Sequence, residues 1–103
     1  MIERLACSLG RNDEAPNIEL AEYLCQNRDT NGIKEIVDGF KGADKAVAND
    51  CIKVLYEIGE RNPALICDYA AAFIEVLELR NPHLAASQQT RINKLLKKLY
   101  SLR

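Results

Sequence analysis

The chain has 103 residues, a mass of 11.6 kDa and a formal net charge of −1 at pH 7. Hydrophobic residues make up 48% and charged residues 28%, which excludes a disordered chain because disorder combines low hydrophobicity with high net charge. Five glycines and three prolines exclude a collagen-like or low-complexity sequence. We therefore expect a single domain over residues 1–103.

The N-terminal part of the chain predicts three helices. The first is a short helix with an apolar stripe that includes Leu5 and Leu9, and Gly10 ends it. After a polar loop, Pro16 suits the first turn of the second helix. Gly42 ends the third, amphipathic helix in a backbone conformation that a residue without Cβ adopts easily. In chain order these predicted helices cover residues 2–10, 16–28 and 31–41.

Three further helices follow, and Asn-Pro pairs separate them. Asp44 is a good N-cap for the fourth helix. Asn62-Pro63 ends this helix and Pro63 begins the fifth, and Asn81-Pro82 repeats this arrangement before the sixth. These predicted helices cover about residues 44–62, 63–79 and 82–101. The sequence therefore predicts an all-α fold of five to six helices.

The helices and the turns between them repeat along the chain. A shift of 31 residues places Leu24 on Leu55, and a shift of 37 places Asp44 on Asn81. Both shifts are close to the period of about 35–45 residues that helical solenoid repeats show. Short loops further predict that consecutive helices pack as antiparallel pairs.

Residues 44–77 resemble a HEAT repeat. The resemblance is carried by Asp44, Val47, Ile58-Gly59 and Pro63, which match an Asp-x-x-Val-like helix start and a small-residue turn before a proline. Residues 18–41 resemble a degenerate repeat and residues 81–99 the first helix of a third. The resemblance implies an α-α superhelix of antiparallel helix pairs that presents one helical layer to a protein partner, and it implies no chemistry.

A plain helical bundle is the alternative to this HEAT-like arrangement. Solenoids need about three repeats and atypical ends that cap them, whereas the resemblance covers two repeats and a half. Either the first and last helices are caps, or an apolar end meets another chain. We therefore expect that a homodimer through a terminal helix can form.

The cysteines and the histidine favour no chemical centre. Cys7, Cys25, Cys51 and Cys67 are far apart, and His83 is the only histidine, so a zinc site with close ligand pairs is not expected. We expect no signal peptide, and no apolar stretch comes near the roughly 18 residues that span a bilayer. We expect structural thiols rather than disulfides, a cytoplasmic location, no cofactor and no membrane contact.

Catalytic motifs are also missing from the sequence. It contains no G-x-S-x-G, H-E-x-x-H or Gly-rich phosphate loop. We interpret His83 as a surface histidine at a helix start, and the carboxylates of the polar helix faces as solvated charges. The sequence therefore predicts a protein without enzymatic activity. Those carboxylates are Glu57, Glu60, Asp68, Glu75 and Glu78.

The net charge conceals a strong separation of charge. Residues 1–79 hold eight basic and fifteen acidic residues, a net charge of −7, whereas residues 80–103 hold six basic residues and no acidic one. Three interpretations stay open: a capping helix attracted to the acidic part, a contact with an acidic protein, and a contact with phosphates of nucleic acid or an anionic membrane. Repulsion by the acidic part disfavours nucleic acid, and so does the scarcity of aromatics, since Tyr100 is the only one nearby.

The leading hypothesis is a protein-interaction or scaffold module, with nucleic-acid binding through the basic segment 80–103 as the alternative. Exposed charges on the concave side are the best candidates for contacts with a partner. We assign this role to Asp50, Lys53, Glu57, Arg91, Lys94 and Lys98.

Overall fold

The computed structural model describes residues 1–11, 13–42, 44–78 and 86–101, without the side chains of residues 76–78 and 86–89. Throughout these ranges the regular structure is helical and no strand occurs, which confirms the predicted all-α class. The five α-helices are α1 (Ala15–Asn27), α2 (Thr30–Phe40), α3 (Lys45–Arg61), α4 (Ala70–Glu78) and α5 (Ala86–Tyr100).

Local sequence signals fix the starts of the first three helices. Pro16 lies in the first turn of α1, where its missing N–H is not needed. The Asp29 carboxylate accepts a hydrogen bond from the Gly32 N–H at 2.9 Å, and the Asp44 carboxylate accepts one from the Val47 N–H at 3.1 Å. Such caps satisfy amide groups that have no partner inside the helix.

Helix α3 lies at the centre of the molecule. It packs against α1, α2 and α5, while α4 packs against α5. Phe40 at the end of α2 meets Phe73 of α4, with ring centroids 5.4 Å apart. Apolar side chains from all five helices form one core, and α3 contributes Cys51, Ile52, Val54, Leu55 and Ile58 to it. The radius of gyration of 12.3 Å is that of a compact globule, for which about 13 Å is typical at 100 residues.

The N-terminal segment is not the helix predicted over residues 2–10. Only Ile2–Arg4 forms a 3-10 turn, and irregular turns follow. Leu5 is fully buried as predicted, but Leu9 is 53% exposed. The amide groups of Ala6 and Cys7 donate to the side chains of other elements, described below, rather than to carbonyls of a helix. These tertiary acceptors take the place of helical hydrogen bonds in so short a segment.

The fifth predicted helix begins later than expected. Pro63 starts a 3-10 turn, a second 3-10 turn covers Cys67–Tyr69, and α4 begins only at Ala70. Between the two turns, Ile66 leaves helical backbone, with φ −125° and ψ 5°, and its side chain is fully buried. The break therefore lets Ile66 enter the core. Of the sixth predicted helix, over residues 82–101, the structure describes α5, and residues 82–85 lie outside the described residues.

The four cysteines are free thiols. Cys51 is buried in the core, and the other three are half-buried. Burial raises the pKa of the Cys51 thiol to about 12, so this group is a neutral part of the core.

Candidate interaction surface

The structure brings the six predicted contact residues onto two neighbouring helices. Asp50, Lys53 and Glu57 lie on α3, and Arg91, Lys94 and Lys98 lie on α5, which packs against α3. Lys53, Arg91 and Lys98 pair with carboxylates that the prediction did not include. Glu57 is joined to a further such carboxylate through Arg61. These carboxylates are Glu14 before α1, Glu22 in α1 and Glu60 in α3. We call this set of nine residues the charged surface.

Glu14 joins three elements of the fold. Its Oε1 lies 3.2 Å from Nη2 of Arg91 and 3.5 Å from Nζ of Lys53. The Lys53 ammonium also lies 3.9 Å from Oδ1 of Asp50. One carboxylate at the start of α1 therefore binds cations from both α3 and α5.

Glu60 holds the other end of α5. Its Oε2 lies 2.6 Å from Nζ of Lys98. The hydrogen bond from Lys98 lowers the pKa of Glu60 below its usual value, and smaller contributions come from Tyr56 and from the charge of Lys94. Tyr56 also contacts α5, because the Arg91 guanidinium lies 5.8 Å from its ring centroid. One ion pair and one cation–π contact thus join α5 to α3.

Arg61 makes the corresponding link between α3 and α1. Its guanidinium lies 2.6 Å from the Glu57 carboxylate, four residues earlier on the same helix, and 3.1 Å from the Glu22 carboxylate. Glu57 is therefore not a free charge. Its side chain is 30% exposed and that of Arg61 34%, so both can still be reached from solvent.

Asp50 has a different environment from the other five predicted residues. It is only 7% exposed, and its carboxylate accepts hydrogen bonds from the Cys7 N–H at 2.8 Å and from the Asn17 side-chain amide at 3.1 Å. Asn17 is fully buried and in turn accepts from the Ala6 N–H at 3.0 Å. Asp50 therefore ties the N-terminal segment to α1 and α3. A partner could reach this carboxylate only if the N-terminal segment moved.

The basic face of α5 is largely engaged inside the molecule. Arg91 and Lys98 each hold a carboxylate, whereas Lys94 and Lys97 are exposed. These ion pairs agree with the interpretation that the basic last helix is attracted to the acidic part of the chain. The charge separation in the sequence was the signal for this attraction, but which carboxylates receive the cations depends on tertiary packing.

The groups considered for catalysis do not assemble into a centre among the described residues. His83 lies outside the described residues. The Cys67 thiol contacts the Ala64 carbonyl oxygen, with 3.4 Å between Sγ and O. In the part of the chain that the structure describes, no three His, Cys, Asp or Glu side chains could together hold a metal ion. Of the carboxylates expected on solvated faces, Asp68 and Glu75 are exposed, Glu57 and Glu60 form ion pairs, and the Glu78 side chain is not described.

No family model, curated protein or solved structure matches the chain. The helices of the described ranges include none that is long and apolar enough to cross a membrane. Inferences about function therefore rest on the sequence pattern and on the geometry of the charged surface.

Proposed function

We propose that the chain is a small HEAT-like repeat module that binds a protein partner in the cytoplasm and has no catalytic activity. The observation that carries this proposal is the order of neighbours around α3. Helix α3 packs against both α1 and α5, while α2 and α4 meet through Phe40 and Phe73. Alternation of successive helices between two layers is the arrangement that stacked helix pairs produce.

The layer of α1, α3 and α5 is the best candidate for the binding face. Its charged surface carries both signs of charge, and most of its side chains are partly exposed. Partly exposed ion pairs contribute little to stability, about 0–1 kcal/mol each, so a partner can exchange them for its own charges at small cost. A partner with both acidic and basic side chains fits this surface.

The geometry gives less support to nucleic-acid binding through residues 80–103. Phosphate would have to displace Glu14 from Arg91 and Glu60 from Lys98. Each phosphate neutralised on duplex DNA would lower log K by about 0.9 per log unit of salt. A DNA titration at two salt concentrations tests this alternative, and steeply salt-dependent binding would favour it over the proposed function.

The proposed function can be tested by charge reversal on the two layers. Lys94→Glu changes an exposed charge of the charged surface, and Lys34→Glu changes an exposed charge on α2, in the other layer. The readout is the set of proteins that each variant recovers in affinity purification. The melting temperature of each variant is measured alongside, to show that it folds like wild type. We expect that wild type and Lys34→Glu recover the same partner and that Lys94→Glu loses it. Equal recovery by all three proteins would contradict the proposal.

A further inference from the structure

Helix α1 runs parallel to α3. Glu14 pairs with Lys53 and Glu22 pairs with Arg61, so both ion pairs join residues that are 39 positions apart in the chain. Between antiparallel helices, the residue number would instead fall along one helix while it rises along the other. Because the offset is constant, Glu19 and Glu22 both lie beside the C-terminal end of α3.

Helix α5 also runs parallel to α3. Its Leu95 lies against Gly59, and its Lys98 pairs with Glu60 at 2.6 Å. The later residue of α5 therefore meets the later residue of α3, as in the contact with α1. Residues 94–97 of α5 thus lie beside the C-terminal end of α3, at about the same height as the two carboxylates of α1.

Helix α3 lies between α1 and α5. Asp50 contacts Asn17 of α1, with 3.1 Å between oxygen and nitrogen, whereas Gly59 faces Leu95 of α5. These two residues of α3 are nine positions apart, or about two and a half helical turns, so they point to opposite sides of the helix. The exposed side of α3, which carries Lys53, is therefore the middle of a broad face, and α1 and α5 are its edges.

The two edges of this face carry opposite charge. Helix α1 contains two acidic residues, Glu19 and Glu22, and no basic one, and we call this pair the acidic edge. Helix α5 contains four basic residues and no acidic one. Two of them, Lys94 and Lys97, form no ion pair with the described residues, and we call these two the basic edge. All four edge residues are exposed, so another molecule can reach them.

Opposite edges at the same height make this face complementary to itself. A two-fold axis parallel to the helices exchanges left and right but keeps the height, so it sets the acidic edge of one copy against the basic edge of the other. Both edges have the spacing i, i+3, so Glu19 of one copy meets Lys94 of the other, and Glu22 meets Lys97. A second copy of the chain therefore matches both edges at once.

The face is also large enough for a stable contact. The molecule measures 37 × 32 × 20 Å, and its shortest dimension corresponds to two helices of about 10 Å each. A face of 37 by 32 Å has an area of roughly 1,200 Å², which exceeds the about 800 Å² that each partner buries in an interface of standard size.

We propose that two copies of this chain form a dimer through this face, with the acidic edge of each copy on the basic edge of the other. The inference rests on the proposed function as an interaction module and names a second copy as the partner of the layer of α1, α3 and α5. Exposed charges hold this dimer together, so it should dissociate as the salt concentration rises and screens them.

Reversal of one edge at a time tests this dimer. In Glu19→Lys/Glu22→Lys both edges are basic, and in Lys94→Glu/Lys97→Glu both edges are acidic. We expect sedimentation equilibrium at low salt to give wild type at twice its chain mass of 11.6 kDa and each variant as a monomer. A wild type that stays monomeric at low salt and high protein concentration would overturn the proposal, and so would dimers that persist in both variants.

The dimer should return when the edges become complementary again. An equimolar mixture of the two variants should form a heterodimer, because the basic edges of one chain then face the acidic edges of the other. A chain with all four substitutions should form a dimer with itself, since its two edges have exchanged their charges. Folded variants that stay monomeric in both experiments would overturn the proposal, by showing that these edges do not meet.

Lys34→Glu is the matched control, because it reverses an exposed charge on α2, outside this face. It should form the dimer like wild type, and a monomeric control would overturn the proposal by assigning the loss to net charge. If loss of the Glu22–Arg61 pair prevents folding, Glu19→Lys and Lys94→Glu replace the double variants with the same expected results. A monomeric wild type that still recovers a partner in affinity purification would overturn the dimer and leave the proposed function standing.

Discussion

Asn17 and Asp50 show how two buried polar side chains can fix the path of an irregular segment. Each accepts an N–H group from the N-terminal segment, and the Asn17 amide also donates to Asp50. Buried polar groups are stable only when they have such partners. These two side chains therefore accept the hydrogen bonds of the Ala6 and Cys7 N–H groups, which the carbonyl groups of a helix would otherwise accept.

Asn17→Ala should destabilise the protein by about 1–3 kcal/mol, the cost of leaving buried donors and acceptors unpaired. The Ala6 N–H and one oxygen of Asp50 would lose their partner. Urea denaturation measures the change in the free energy of unfolding. As a control, Glu75→Ala at an exposed position of α4 should stay within about 0.5 kcal/mol of wild type. Equal effects of the two substitutions would refute the structural role of Asn17.

Cys51 should be the least reactive thiol of the protein. Its burial raises its pKa to about 12, so at pH 8 the nucleophilic thiolate is almost absent, and the surrounding core excludes the reagent. Ellman's reagent should therefore modify the half-buried thiols of Cys7, Cys25 and Cys67 first and Cys51 only upon unfolding. Mass spectrometry of partly labelled protein identifies the modified residue, and early labelling of Cys51 would contradict the burial described here.

Among the secondary-structure elements, α3 and α5 form the contact most sensitive to a small change. Gly59 is buried, and Leu95 occupies the space in front of its Cα atom. In an exposed helix, alanine would be favoured over glycine by about 1 kcal/mol. The close approach of Leu95 reverses this preference at residue 59.

Gly59→Ala should lower the free energy of unfolding by about 1–3 kcal/mol, because the added methyl group overpacks the α3–α5 contact. Leu95→Ala should cost about 2–5 kcal/mol by leaving a cavity. In the double variant the two changes should compensate, so that its loss is smaller than the sum of the single losses. Additive losses in urea denaturation would contradict the close approach of these two side chains.

The elements that were predictable from the sequence are those with local signals. The cap at Asp44 and the apolar spacing placed α2 and α3 within a few residues of their observed ends, whereas the cap at Asp29 was found only in the structure. The irregular N-terminal segment and the break at Ile66 were not predictable, because distant acceptors and burial in the core decide them. The same holds for the charged surface. The parts of the chain that carry opposite charge were evident from the sequence, whereas the pairing of particular residues needed the packing of α3 against α1 and α5.

For the whole molecule, the net charge of −1 results from two oppositely charged parts that are in contact. The cations of α5 lie against carboxylates of the preceding 79 residues. The folded chain therefore brings together charges that the unfolded chain holds farther apart. Acid and salt should both weaken this attraction.

Acid should reduce the contribution of the Lys98–Glu60 ion pair to the stability of the folded protein. The pKa of Glu60 is lowered by Lys98 from its ordinary value of 4.5, so the stabilisation is present above pH 4.5 and is lost as the pH falls through the folded-state pKa. Lys98→Gln should therefore be less stable than wild type at pH 7, and the difference should shrink below pH 4.5. The urea midpoints of both proteins at several pH values measure this difference in stability. A difference that does not change with pH would contradict the ion pair between Lys98 and Glu60.

The central position of α3 also determines how amide protons should exchange with deuterium. Because α1, α2 and α5 cover it, its amides can exchange only when the whole domain unfolds. Helix α5 packs against one side of α3 and against α4, so it can detach while the first three helices stay folded. Hydrogen-exchange NMR in low urea should then find the slowest amides in α3 and a separate, faster group in α5. Identical opening energies in the two helices would mean that the domain unfolds as a single cooperative unit.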